Sequence, residues 1–312
     1  MESLILSIDV TLPLFIMMAL GYLLKCLKVM DGEFIKKINS LNFNVFLPVM
    51  MFNNLYSTDI SAVWDGTAVL IAAVSSPIIF LLGMLIVPRL VKNNRRSGVA
   101  VQSLYHSNYS YVGIPVAMSI CGTATAGISA IVLAVISPIN NALSVVDYEL
   151  FRGGKIRPGI IMKRILSNPL IIASVLGIAG MLLHIQLPGV FQKTLNGLSG
   201  VCTPLALVAL GASFNFRSLT GNFRLLAVTS AVRLILVPAV FFTVSIALGL
   251  RGEALAAMFA LFATPVAVVS YTLSQIMDGD SELAGQMVII QSCASIATMF
   301  MWVFVLHSMG MF

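Results

Sequence analysis

Charge is scarce in this 312-residue chain. Only 10% of its residues are Asp, Glu, Lys or Arg, whereas 59% are hydrophobic and the mean hydropathy is +1.00. A soluble domain carries roughly a quarter charged residues, so a water-soluble fold is excluded. The net charge of +6 does not build a nucleic-acid surface, because the basic residues sit at the ends of apolar runs. The four cysteines, Cys26, Cys121, Cys202 and Cys293, are single and far apart, with no CxxC pair. That argues for small apolar filler rather than a metal or redox centre. No phosphate-cradling glycine loop, HExxH or nucleophile elbow occurs, which disfavours a nucleotide-driven pump or a membrane hydrolase. No cofactor is expected.

Acids are also missing from the interior of the apolar runs. Asp9 and Asp147 lie near run ends and the remaining acids lie in connections. The sequence therefore supplies no mid-membrane carboxylate for a proton or sodium path. Neutral oxygens remain as sodium ligands, and His106 as a proton carrier.

The apolar runs themselves are about 20 residues long rather than alternating ten-residue segments, so they predict an all-α integral membrane protein. Ten transmembrane helices are expected, over about 5–28, 34–57, 66–91, 97–121, 125–150, 163–185, 190–214, 223–249, 253–276 and 281–308. The first run reads as a span and not as a cleavable signal, since Glu2 leads it and its lysines follow it. Fifteen of the eighteen Lys and Arg residues fall after spans one, three, five and seven, two (Lys193 and Arg251) fall on the opposite side, and Arg233 lies inside span eight. This bias predicts both termini outside. The acids after span nine, Asp278, Asp280 and Glu282, run against the pattern, but the rule counts cations.

The two halves resemble each other. Leu12-Pro13-Leu14 with Gly21 aligns with Asn168-Pro169-Leu170 with Gly177 at a shift of 156 residues, and the same shift lays Pro48 on Pro204. Pro115 falls on Pro265 at a shift of 150. Five spans per half force the second copy to enter the membrane from the other side, which makes the repeat inverted. The domains are then 1–150, a cytoplasmic connection over 151–162, and 163–312.

Within span four the run SNYSYVGIPVAMSICG carries Asn108, Gly113 and Pro115 at membrane depth, and ATPVA in span nine echoes its GIPVA. Proline removes a backbone donor and disfavours helical geometry in the residue before it. A helix can break inside lipid only where protein or water satisfies the freed groups. Two such interruptions in matching positions point to a transporter's binding site. If spans four and nine cross at Pro115 and Pro265, the amides of about Val116–Met118 and Val266–Val268 become anion donors.

Candidate substrate-binding residues are Asn108, Gly113, Ile114, Pro115, Val116, Ser137, Asn140, Asn141, Thr264, Pro265, Val266 and Gln291. Ile114 and Val266 are expected to accept the apolar body of the substrate. Asn108 lies two turns before Pro115 and cannot face lipid unpartnered. Burial alone leaves it open between ligand contact and interhelical bonding. The asparagines of span two, Asn39, Asn42, Asn44, Asn53 and Asn54, read as interhelical bonds. Arg233, His106 and Asp147 are structural or coupling candidates. Arg233 is expected to pair with Asp147 or Glu149 or to snorkel to the inner surface, with direct substrate contact as the alternative.

SNYSYVGIP, AVRLILVPAVFFTVSIALGLRGEALAAMFALFATPVAV and ELFRGGK resemble the auxin efflux carrier family, and the resemblance covers essentially the whole chain. That family includes plant auxin exporters and bacterial carriers of malate, malonate and similar acids. This chain lacks the long loop between spans five and six, like the short prokaryotic branch. The resemblance implies a fold similar to sodium/bile-acid symporters, in a homodimer. Spans 1, 2, 6 and 7 would form a scaffold, and spans 3–5 and 8–10 a transport domain that moves as an elevator. It also implies that Asn108 is the crossover asparagine that contacts the substrate carboxylate, with Pro115 and Pro265 as the crossover prolines. Arg233 matches an arginine that recurs in span eight. Span five departs from the pattern, leaving open which of Ser137, Asn140 and Asn141 faces substrate.

The expected function is organic-anion transport across the cell (inner) membrane, with malate, malonate or indole acids as candidate cargo and no enzyme activity. An anion channel or ligand sensor on the same scaffold is the alternative. The expected partners are a small carboxylate, the lipid bilayer and a second copy of the chain, but no nucleic acid.

Overall fold

The computed structural model describes residues 2–57, 65–152, 158–214 and 219–312. Among the described residues it is all-helical, without a strand. The helices are α1 (Glu2–Cys26), α2 (Gly32–Leu41), α3 (Leu47–Tyr56), α4 (Gly66–Leu90), α5 (Asn94–Tyr105), α6 (Ile114–Cys121), α7 (Thr125–Phe151), α8 (Pro158–Leu166) and α9 (Pro169–Leu182). They continue as α10 (Gly189–Ser213), α11 (Leu219–Ala231), α12 (Val237–Ala247), α13 (Gly252–Phe262), α14 (Val269–Ile276) and α15 (Ser281–Ser308). Among the described residues five runs are long and apolar enough by themselves to cross a membrane: Gly66–Leu90, Thr125–Phe151, Gly189–Ser213, Gly221–Ala247 and Ser281–Ser308. The other apolar helices are shorter.

Among the described residues three π turns, Asn42–Phe46, Tyr109–Gly113 and Val232–Leu236, join α2 to α3, lead into α6, and join α11 to α12. Each is followed two residues later by a proline: Pro48, Pro115 and Pro238. A proline ring clashes with the carbonyl four residues back and cannot donate to it. Widening the preceding turn relieves the clash and keeps the helix going, at the cost of a re-aimed set of side chains. At Pro238 the freed carbonyl is that of Leu234, and Trp302 Nε1 takes it at 3.0 Å.

Helix packing relies on small residues, as it must where lipid gives no hydrophobic drive between helices. α1 meets α10 so closely that a Cβ on Gly21 would lie 2.0 Å from the Val208 carbonyl oxygen. A Cβ on Gly211 would lie 1.9 Å from that of Met18. α9 meets α3 in the same manner, with Gly177 against the Phe52 carbonyl and Leu55, and Gly180 against Tyr56. Gly211→Ala is therefore expected to destabilise the fold by about 1–3 kcal/mol, because backbone and not a flexible side chain must give way. A melting temperature equal to that of the parent protein would contradict this.

α13 lies at the centre, with every residue from Leu255 to Ala263 buried. α4 instead leaves Leu70, Leu81, Leu82, Leu85 and Ile86 exposed, the outward surface of a lipid-facing helix. Asparagines bind helices together at several points: Asn39 donates to Gln275, and Asn53 to Asn196 at 2.9 Å. The acids after α14 have nearby cations. Arg152 pairs with Asp278, and Arg96 Nε lies 3.9 Å from Asp280. The acidic cluster that ran against the charge bias thus faces the cations of two neighbouring connections. Of the cations behind the orientation expectation, Lys155, Arg157 and Arg217 lie outside the described residues, as do Gly153 and Gly154.

Candidate functional site

Two breaks meet at the centre of the molecule. α5 ends at Tyr105, and the next residues run extended against the segment between α13 and α14. Ser107 and Val266 form an antiparallel bridge. Asn108 N–H donates to the Pro265 carbonyl at 2.8 Å, and Ala267 N–H to that of His106 at 2.9 Å. The Val266 amide donates to Gln291 Oε1 at 3.0 Å. Each broken helix thus satisfies the other's backbone, the condition for irregular backbone at membrane depth.

The break in the first segment lies at His106–Asn108 and not at Pro115, which corrects the sequence expectation. The π turn Tyr109–Gly113 absorbs Pro115, which sits exposed on the second residue of α6. Pro265 lies inside its own break, so the two prolines do not occupy equivalent places. The expected donors change accordingly. Val116 is packed in the core and Val116–Met118 do not line the cavity, whereas Ser110 and Tyr111 do. On the other side the amides of Val266 and Ala267 are already used, and Val268 and Val269 begin the half-helix that faces the cavity. First-turn amides have no partner within their helix, so both half-helices offer donors and positive dipole ends there.

The cavity measures about 70 Å³. Its polar wall holds Asn42, Ser107, Asn108, Ser137, Asn140 and Asn141, and its apolar wall Met50, Met51, Leu133 and Ile136. Buried polar atoms normally find partners, yet both side-chain atoms of Asn42, Ser107 Oγ, Asn108 Nδ2 and Asn140 Oδ1 have none. Ser137 Oγ and Asn141 Nδ2 reach only Met51 Sδ, at 3.1 and 3.2 Å, and a thioether is a weak acceptor. Several residues with unsatisfied polar atoms therefore line one cavity, and among the described residues its lining contains no Asp or Glu.

The sequence candidates divide into two sets. Asn108, Ser137, Asn140, Asn141 and His106 line the cavity. Thr264, Pro265, Val266 and Gln291 build the crossing behind it. Gly113 makes a close helix contact, where a Cβ would lie 2.6 Å from the Ala260 carbonyl oxygen. Ile114 packs against the core, so the apolar wall comes from Met50, Met51, Leu133 and Ile136 and not from Ile114 or Val266. Asn42, taken as interhelical glue, is a lining residue with both atoms unpaired. Met50, Met51, Cys202 and Thr203 carried no sequence signal, since apolar and small residues at this depth are what any span contains.

Arg233 neither snorkels nor pairs with Asp147 or Glu149. It is buried on the third π turn, and its fork donates to three carbonyls: Nε to Thr264 at 3.1 Å, Nη1 to Leu104 at 3.2 Å and Nη2 to Leu261 at 2.9 Å. Leu104 and Leu261 lie in the last turns of α5 and α13. The guanidinium thus sits where both half-helices present orphan carbonyls and the negative ends of their dipoles. The crossing is polarised: negative helix ends closed by a fixed cation on one side, positive ends open to a cavity on the other.

Comparison with known proteins agrees with a transport role. The family model described as membrane transport protein matches residues 6–153 and 156–303. An uncharacterized transporter of Methanothermobacter thermautotrophicus is 25% identical over 309 residues, covering 96% of this chain and 98% of the relative. A Rhizobium meliloti protein named "Putative malonate transporter" is 22% identical over 214 residues, 67% of each chain.

Proposed function

The chain belongs to the membrane transport protein (auxin efflux carrier) family, and from that premise we propose that it carries small organic anions across the cell membrane by alternating access. It is a multi-pass membrane transporter, in a family of proteins that are generally not enzymes. The observation that carries the anion reading is the cluster of unpartnered buried donors, Asn42, Ser107 and Asn108, beside two open half-helix N-termini with no acid in the wall. A carboxylate is acceptor-only and matches such a set. The methionine-rich wall suits a short apolar body, and malonate, malate and indole acids are the cargo to try first.

The proposed architecture is ten spans in two inverted halves, with helices 1, 2, 6 and 7 as scaffold, helices 3–5 and 8–10 as the moving unit, both termini outside, and a homodimeric assembly. The glycine contacts support the repeat. Gly21 against Val208 and Gly177 against Phe52 are the same contact with the halves exchanged: Gly177 lies 156 residues after Gly21, and Phe52 lies 156 residues before Val208.

A thermal-shift screen of small carboxylates on purified protein tests the anion reading, since a ligand that binds only the folded state raises its stability. A carboxylate hit should then exchange across proteoliposomes by saturable counterflow. Stabilisation by amines or sugars but by no carboxylate would reject the anion reading. Current without counterflow would make the protein a channel.

A further inference from the structure

Asp147 is completely buried; neither carboxyl oxygen makes a hydrogen bond of good geometry, and the Tyr105 hydroxyl is the donor set against it. It stands near the C-terminal end of α7, where the helix dipole disfavours negative charge. The groups facing it are Tyr105 from α5 and Tyr148 from α7 itself. The surrounding elements carry the charged residues Arg89 on α4, Arg95 and Arg96 on α5, Lys163 on α8, Glu253 on α13, and Glu149 and Arg152 at the end of α7. None forms an ion pair with Asp147 among the described residues. An ionised carboxylate in that position would be uncompensated and very costly. The closed arrangement therefore favours a neutral acid.

The residue is connected to the cavity. Asn140, Ser144 and Asp147 follow one another at helical spacing on one stripe of α7. Asn140 lines the cavity, and Asp147 lies two turns on, about 10 Å along the axis. Between them Ser144 Oγ is a junction. It donates to the Asn140 carbonyl at 2.7 Å. Gln102 Nε2 at 2.9 Å, His106 Nδ1 at 3.2 Å and the Tyr105 hydroxyl at 3.3 Å all converge on it. Tyr148 closes the set by donating to Gln102 Oε1 at 2.5 Å. One hydroxyl oxygen has two lone pairs for three neighbours, so its bonding changes with the tautomer of His106, which lines the cavity.

We propose that Asp147 is the proton-binding site that couples anion movement to protons, reached from the cavity through His106, Ser144 and Tyr105. The step balances simply: the carboxylate takes one proton when its pocket is hydrated, travels as the neutral acid, and releases that proton on the other side. This rests on the transport reading above.

The test uses proteoliposomes holding wild type or Asp147→Asn, with malonate as the probe and the membrane potential clamped at zero. Counterflow should persist in both proteins. A one-unit pH step should drive up to about tenfold malonate accumulation in wild type, and none in Asp147→Asn. Accumulation that survives the substitution would overturn the proposal, because the proton would then ride on malonate itself. A wild type that exchanges malonate but ignores the pH step would also overturn it. If malonate gives no counterflow at all, the transport reading fails for this cargo, and infrared spectroscopy decides the proton site separately. Wild type at neutral pH should show a protonated carboxyl stretch that Asp147→Asn lacks; its absence from wild type would overturn the proposal.

Discussion

Arg233→Met should unfold the crossing. The side chain supplies donors to three carbonyls that no neighbouring helix turn satisfies. Leaving a buried acceptor unpaired costs about 1–3 kcal/mol each, so a loss of about 3 kcal/mol or more is expected, a large part of a typical protein's margin. The measurement is the melting temperature and folded yield of purified protein. Arg233→Lys should recover only part of the loss, since an ammonium is compact and cannot copy the planar fork. The same geometry predicts indifference to sodium. In other transporters the C-terminal ends of broken helices hold the coupling cation; here a guanidinium fills that role permanently. Replacing sodium by potassium should change neither melting temperature nor counterflow. Sodium-dependent stabilisation, or an Arg233→Met protein as stable as wild type, would contradict the assignment.

Asn108→Ala should do the opposite. Its Nδ2 has no partner, so deleting the side chain removes an unsatisfied donor, and stability should change by less than about 1 kcal/mol. Its backbone bond to Pro265 is kept. Binding should suffer instead. A hydrogen bond to a charged group contributes about 1.5–3 kcal/mol, which corresponds to roughly a ten- to hundredfold weaker affinity for the carboxylate. Thermal-shift titration reads both quantities at once. A matched fall in stability, or unchanged affinity, would remove Asn108 from the binding site. The pair of substitutions separates the two sides of the crossing: one holds the chain together, the other is held ready.

Arg233 shows what a sequence can and cannot say about a buried charge. Its depth was evident, and so was the need for a partner. Reading along the chain looks for an acid, and Asp147 was the nearest candidate. The partner turned out to be backbone, in carbonyls left over where two helices stop, and no residue type announces those. Asp147 lacks a countercharge for the same reason, since its supposed partner is engaged elsewhere.

The prolines carry a similar lesson. Pro115 does announce that a helical ladder cannot close normally. A π turn answers that problem locally, so the helix continues through it. The break comes at His106–Asn108 because there the backbone finds a partner strand more than 150 residues away. Methionines of the cavity wall were equally invisible, because an apolar residue in an apolar helix gives no sign of which face it presents.

By itself, the sequence determined the membrane class, the helical runs, the polar stretch from His106 to Tyr111 and the presence of one deep cation. These follow from composition and spacing along a single chain, where lipid permits few backbone solutions. Only the tertiary structure decided where the helices part, which atoms Arg233 serves and which donors stay unsatisfied, because each depends on a backbone group brought close from a distant part of the chain.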